Sequence, residues 1–120
     1  MTEDDEIKFE SETRRLGGQY EAFEFASLPG ARIMARLTLG ESIADLAGIT
    51  LALDAYRLHT AGKRAEVLDG FTGEQRLFLG WAQVWRSLMR DEALKQQFVT
   101  GSHSAGYVRS YAPMRNVDGW

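Results

Sequence analysis

GESIADLAGITLALDAYRLHT, running from Gly40 to Thr60, is the stretch whose reading decides the fold. Beyond its first turn Ile43, Leu46, Ala47, Ile49, Leu51, Leu53, Tyr56 and Leu58 put apolar groups on nearly every face, so it reads as a helix that expects burial. Ala61-Gly62 ends it, and Lys63 to Gly70 is a polar loop closing on Asp69-Gly70.

Working outward, the residues from about Glu3 to Phe23 combine charges with apolar Ile7, Phe9, Leu16, Tyr20 and Phe23 at helical spacing. Gly17-Gly18 weakens the middle of that helix and offers a place to break it. Ser27-Leu28-Pro29-Gly30 is turn chemistry, and Ala31 to Leu39 reads as an extended connector or short strand. Downstream, Thr72 offers an N-cap, with Gly73-Glu74-Gln75 as a first turn. Leu77, Phe78, Trp81, Ala82, Val84, Trp85 and Leu88 then define an amphipathic helix on which two tryptophans share a face. Asp91 caps a further helix to about Val99. Thr100 to Gly106 is small and turn-like, and Asn116 to Trp120 begins one more helical turn. The expectation is a single all-α domain over residues 1–120, with little or no sheet, no internal repeat and no low-complexity linker.

Composition removes several classes of function. The net charge of −3 comes from acids and bases mixed along the chain, so the basic stripe that grips nucleic-acid phosphates is absent. Without a cysteine there is no disulfide, no thiolate zinc site and no cysteine nucleophile, and the redox compartment stays open. No apolar run approaches the roughly 18 residues of a spanning helix, and MTEDDE is the opposite of a signal peptide's basic start. Localisation is therefore unassigned, with an exported or periplasmic parent left open.

Glu41 and Asp45 project from one helix face a turn apart, where two like charges repel. Two explanations stand on spacing alone. The carboxylates sit in the first turns because the helix dipole favours them there, or they face cationic groups that reward their proximity. His103 in its small-residue loop is either a surface residue or local hydrogen-bond donor, or else a catalyst. His59 has no assignable role.

The run Leu37-Thr38-Leu39-Gly40-Glu41-Ser42-Ile43-Ala44-Asp45 resembles the Glu-Asn-x-Ala-Asp signature of neprilysin-like zinc metallopeptidases. Asp69 to Arg76 with Phe78 and Trp81-Ala82-Gln83-Val84-Trp85-Arg86 is similar to that family's following helix, and His103-Ser104 followed by Arg109 to its His-Ser-Pro segment. The resemblance covers nearly the whole chain and implies the C-terminal portion of a zincin-type catalytic domain. By it, Glu41 is a zinc ligand and Asp45 orients a zinc-bound histidine. His103 stabilises the oxyanion, and Arg109 and Ser42 bind substrate backbone. Ser42 stands where the family has Asn, which puts peptide affinity in question, and Ala105 where it has Pro, which should loosen the loop that aims His103.

The implied activity is zinc-dependent endopeptidase or oligopeptidase hydrolysis of peptide substrates. No His-Glu-x-x-His motif occurs in these 120 residues, and a catalytic zinc needs three protein ligands and an open position. The chain alone is therefore expected to hold zinc weakly and to be inactive. Its expected partner is a His-Glu-x-x-His-bearing segment or a second copy. The rival readings are a catalytically inactive helical interaction module derived from the family, and a zinc site shared between two copies through Glu41, Asp45 and a neighbour's histidine.

Overall fold

The computed structural model describes residues 2–63 and 66–120. Helix α1 (Glu3–Glu21) starts at a capping box in which the Asp5 N–H donates to Thr2 Oγ1 and the Thr2 N–H donates to Asp5 Oδ2. Four acids in its first turn suit the positive end of the helix dipole. Gly17-Gly18 does not break it. Gly17 is buried where α2 crosses, and a Cβ there would stand 3.1 Å from the Cβ of Ala35. The glycine that costs helix propensity thus permits close approach of two helices.

Helix α2 (Ala35–Thr60) begins five residues before Gly40, inside the segment expected to be a connector or strand. Met34 supplies no side-chain cap; instead Glu21 Oε1, at the end of α1, accepts the Ala35 N–H at 3.2 Å. A cap delivered from another helix leaves no local signal. Burial along α2 is also narrower than expected. Thr38, Ser42, Asp45, Ile49 and Leu53 form one buried stripe, while Leu51 and Leu58 on other faces are 67% and 80% exposed.

The loop expected over 63–70 includes residues 64 and 65, which lie outside the described residues. Its end is a tight turn at Asp69 and Gly70, both at positive φ, closed by an isolated antiparallel bridge between Leu68 and Phe71. Helix α3 (Gly73–Val84) has the expected Thr72 cap, completed by Gln75 into a reciprocal box. It stops at Val84, short of Leu88, which is fully exposed. Past that end the chain packs on Gly106, where a Cβ would meet both the Trp85 carbonyl and the Ser87 hydroxyl at 2.9 Å.

Helix α4 (Asp91–Thr100) has Asp91 as its first residue, with Arg90 at the N-cap position, so Asp91 acts through the dipole rather than as a cap. The last helical pieces are α5 (Gly106–Arg109) and a 3₁₀ turn (Met114–Asn116); of the turn expected over Asn116 to Trp120, only Asn116 is helical, as the end of that 3₁₀ turn. The fold is all-helical, with no strand among the described residues beyond the isolated bridge.

Two apolar clusters hold it together. Tyr20, Phe23, Phe25, Leu28 and Ile33 pack with Ala105, Val108 and Ala112, tying the α1–α2 connection to the C-terminal segment. Ile49, Leu53, Phe78 and Met114 join the second half of α2 to α3. Tyr111 contacts both clusters. The C-terminal segment is therefore held against the α1–α2 connection and the second half of α2, and its polar contacts to Glu41 and Asp45 assemble the site.

Candidate functional site

Glu41 and Asp45 each meet a basic partner from the returning C-terminal segment. His103 Nε2 lies 3.0 Å from Glu41 Oε2, and both side chains are about half exposed. One turn further along α2, Arg109 grips Asp45 in a two-pronged pair: Nε donates to Oδ2 and Nη2 to Oδ1, each at 2.7 Å. That pair is drier, at 14% and 9% side-chain exposure. Because α2 starts at Ala35, neither acid lies in its first turn as expected, and each carboxylate faces its own cationic or protonatable group.

Arg109 is fixed on three sides. Its guanidinium carbon lies 3.7 Å above the centre of the Trp85 ring. Trp81 Nε1 donates to the Arg109 carbonyl at 2.8 Å, and the two indoles pack with ring centres 5.8 Å apart. The shared face of Trp81 and Trp85 is thus turned toward Arg109, a contact that reading them as one face of an amphipathic helix did not include. Their four-residue spacing was the available signal, and a basic residue to receive it lay too far along the chain to be paired by sequence.

His103 is aimed by α4. Gln97 Nε2 donates to the His103 carbonyl at 3.0 Å, and the Gly101 N–H donates to the Gln97 carbonyl at 2.8 Å. A Cβ at Gly101 would stand 2.6 Å from that carbonyl, so glycine is needed for the approach. Ser104 and Ala105 are buried, and the Ala105 carbonyl accepts the Val108 and Arg109 N–H groups. On the imidazole's other edge, Ser102 Oγ lies 3.0 Å from Nδ1.

The remaining sequence candidates are placed as follows. Ser42 is buried and its hydroxyl donates to the Thr38 carbonyl at 2.9 Å, within the helix. Asp45 has Arg109, not a histidine, as its partner among the described residues, and His59 is exposed in the last turn of α2. Tyr20, read only as part of an amphipathic face, lies beneath the site with its hydroxyl buried and without a completed hydrogen bond. Burial pushes its pKa up to about 12, helped by the Asp45 carboxylate and opposed by the Ser42 hydroxyl and Arg109.

Residues 1–120 match the profile of peptidase family M13. The chain belongs to peptidase family M13. It is 33% identical over 117 residues to neprilysin-21 of Caenorhabditis elegans, covering 92% of this chain and 15% of that protein. To endothelin-converting enzyme 1 of Rattus norvegicus it is 33% identical over 111 residues, covering 90% of this chain and 14% of the relative. The crystal structure of the Mycobacterium tuberculosis zinc metalloprotease Zmp1 with an inhibitor superposes with a TM-score of 0.92 at 40% identity, over 98% of this chain and 18% of that one. The open state of Zmp1 gives 0.90 and 39%, over 98% and 19%. The M13 chain described here thus spans about a seventh of the length of these curated relatives.

Its helical architecture is that of the C-terminal part of an M13 domain. None of its described helices is long and apolar enough to cross a membrane. As to metal, Glu41 presents a half-exposed carboxylate suited to one coordination position, but among the described residues no group of three His, Cys, Asp or Glu is arranged to hold an ion. The donors present fit one ligand of a zinc site and do not fit a complete one.

Proposed function

We propose that this M13 chain is a single unit forming one wall of the active centre of a zinc-dependent endopeptidase or oligopeptidase that hydrolyses peptide substrates. Glu41 contributes one metal ligand, and the other two come from a His-Glu-x-x-His segment outside these 120 residues. The observation that carries this reading is the pairing of Glu41 with His103 and of Asp45 with Arg109 along one helix edge, with Asp45 and Arg109 64 positions apart in sequence. Zinc, when bound, supplies Lewis acidity and an activated water.

The roles of the other residues follow from what each can donate or accept. His103 Nε2 reaches the Glu41 edge and can donate to negative charge developing on a substrate oxygen beside it. Arg109, already held by Asp45 and Trp85, has N–H groups beyond the two that Asp45 accepts, and these suit a peptide carbonyl. Each Asp45 oxygen retains a lone pair, so the carboxylate can accept from a histidine while holding Arg109. Ser42 is carried as a substrate-backbone contact only on condition that its hydroxyl leaves the Thr38 carbonyl.

The test is a calorimetric zinc titration of the chain alone and mixed with an M13 segment bearing His-Glu-x-x-His, with hydrolysis of a quenched fluorescent peptide followed in parallel. The expected result is weak binding alone. In the mixture, stoichiometric zinc and chelator-sensitive hydrolysis should appear, both lost with Glu41→Ala. Tight zinc binding and turnover by the chain alone would overturn the assignment of the missing ligands, and binding in the mixture unaffected by Glu41→Ala would overturn the role of Glu41.

A further inference from the structure

Glu41 Oε2 approaches one nitrogen of the His103 ring and Ser102 Oγ the other, each at 3.0 Å. We infer that Ser102 is a positioning residue that holds the His103 ring in the tautomer and orientation presenting Nε2–H to the Glu41 edge.

The argument is one of donors and acceptors. An ionised carboxylate only accepts, so the ring nitrogen facing Glu41 must carry hydrogen, and that nitrogen is Nε2. In the neutral ring Nδ1 is then bare and needs a donor. Ser102 Oγ is the atom placed to supply one, with its hydroxyl hydrogen turned into the ring. A carboxylate in that position would demand Nδ1–H and so a charged ring. A hydroxyl can donate to a bare Nδ1, so in the neutral ring it favours the tautomer with hydrogen on Nε2 through geometry.

The backbone beneath is fixed independently. Gln97 holds the His103 carbonyl, and Gly101 is packed against the Gln97 carbonyl, so Ser102 is presented from an anchored turn. Ser102 itself is exposed and lies in neither apolar cluster. Replacing it should not threaten the fold. The inference rests on the proposed function only for its consequence: a fixed Nε2–H is what donation to a developing oxyanion requires.

The experiment needs neither metal nor substrate. In the ¹⁵N-labelled chain, with the imidazoles neutral, the separation between the two ring-nitrogen shifts reports the tautomer: it is full for one tautomer and reduced for a mixture. His59, exposed and without a side-chain hydrogen bond among the described residues, is the internal reference for an unrestrained ring. His103 should show the full separation with Nε2 protonated. Ser102→Ala should reduce it toward the His59 value, and Ser102→Thr, which keeps the hydroxyl, should restore it. A His103 separation that is the same in all three chains, or a mixture like that of His59 in the unsubstituted chain, overturns the inference. Because the readout is a ring shift, its failure is separate from failure of zinc binding or hydrolysis.

Discussion

Removing the Arg109 guanidinium would leave the Asp45 carboxylate buried without its two donors. Breaking such a pair from one side typically costs about 3–5 kcal/mol. With both side chains mostly but not wholly dry, Arg109→Ala should lie near the lower end, about 3 kcal/mol by denaturant unfolding. Arg109→Lys should recover only part, since an ammonium cannot make the parallel pair or lie flat on Trp85. A loss under about 1 kcal/mol, the range of an exposed pair, would count against burial of the contact. Tyr20 supplies a pH dependence with the opposite trigger. Its folded pKa is raised to about 12 from 10, so the neutral form is the one the fold accommodates. The stability is fully present below pH 10 and falls as pH rises from 10 to about 12, by about 2–3 kcal/mol for two units. Tyr111, also pushed up to about 12 mainly by burial, adds to the same window. Tyr20→Phe should flatten part of that alkaline decline while leaving stability at pH 7 near unchanged. If the decline keeps its full size in Tyr20→Phe, Tyr20 is not its source. Both acids of the site were legible in sequence, because paired carboxylates on one helix face raise a question by themselves. Tyr20 and Gln97 were not, since a tyrosine on an amphipathic face and a glutamine on a short helix carry no mark of what they will touch.

The crossing of α1 over α2 turns on two adjacent glycines that sequence treats alike and the structure does not. Gly17 is buried with its would-be Cβ at 3.1 Å from Ala35, whereas Gly18 has nothing within 4 Å. Gly18→Ala should therefore raise stability by about 0.5–1 kcal/mol through helix propensity alone. Gly17→Val should lower it by about 1–3 kcal/mol, because α1 and α2 must separate to admit the side chain. Equal effects of matched alanine and valine substitutions at the two positions, measured by thermal unfolding, would show that the crossing is not tight. The same contact explains which elements could be read in advance. Capping boxes are local, so the start of α3 was legible from Thr72 and Gln75. The start of α2 depends on Glu21 reaching Ala35 across 14 positions, and the end of α3 on the packing of Trp85 and Ser87 against Gly106. Such boundaries are set by tertiary contacts, and the propensities of residues 31–39 or 85–88 do not encode them.

The described chain is a slab, 47 × 43 × 17 Å, with a radius of gyration of 16.5 Å against about 14 Å for a compact chain of this length. A layer so thin buries each long helix on one side. Leu51 and Leu58 on α2, Ile7 and Phe9 on α1, and Leu88 beyond α3 are more than half exposed. The apolar faces that made α2 read as a fully buried helix are real, but neighbours within this chain cover only the stripe from Thr38 to Leu53. Scattered exposed leucines are ordinary, whereas Leu51 and Leu58, two turns apart on one face of α2, together present apolar area that water disfavours. The expected consequence is that the isolated chain self-associates reversibly, seen as a sedimentation coefficient that rises with concentration. Exposed Asp54 lies between Leu51 and Leu58, and acids flank Ile7 and Phe9, so raising salt, which screens like-charge repulsion between copies, should strengthen this association. Leu51→Glu with Leu58→Glu should return the chain to monomer without unfolding it, because neither side chain lies in either core cluster. An interaction module and a wall of a larger M13 active centre both predict that patch, but they part on what relieves it. If a His-Glu-x-x-His-bearing M13 segment abolishes self-association at equimolar ratio, the exposed faces are the inner surface of a peptidase domain. If self-association persists beside that segment, they serve a second copy of this chain.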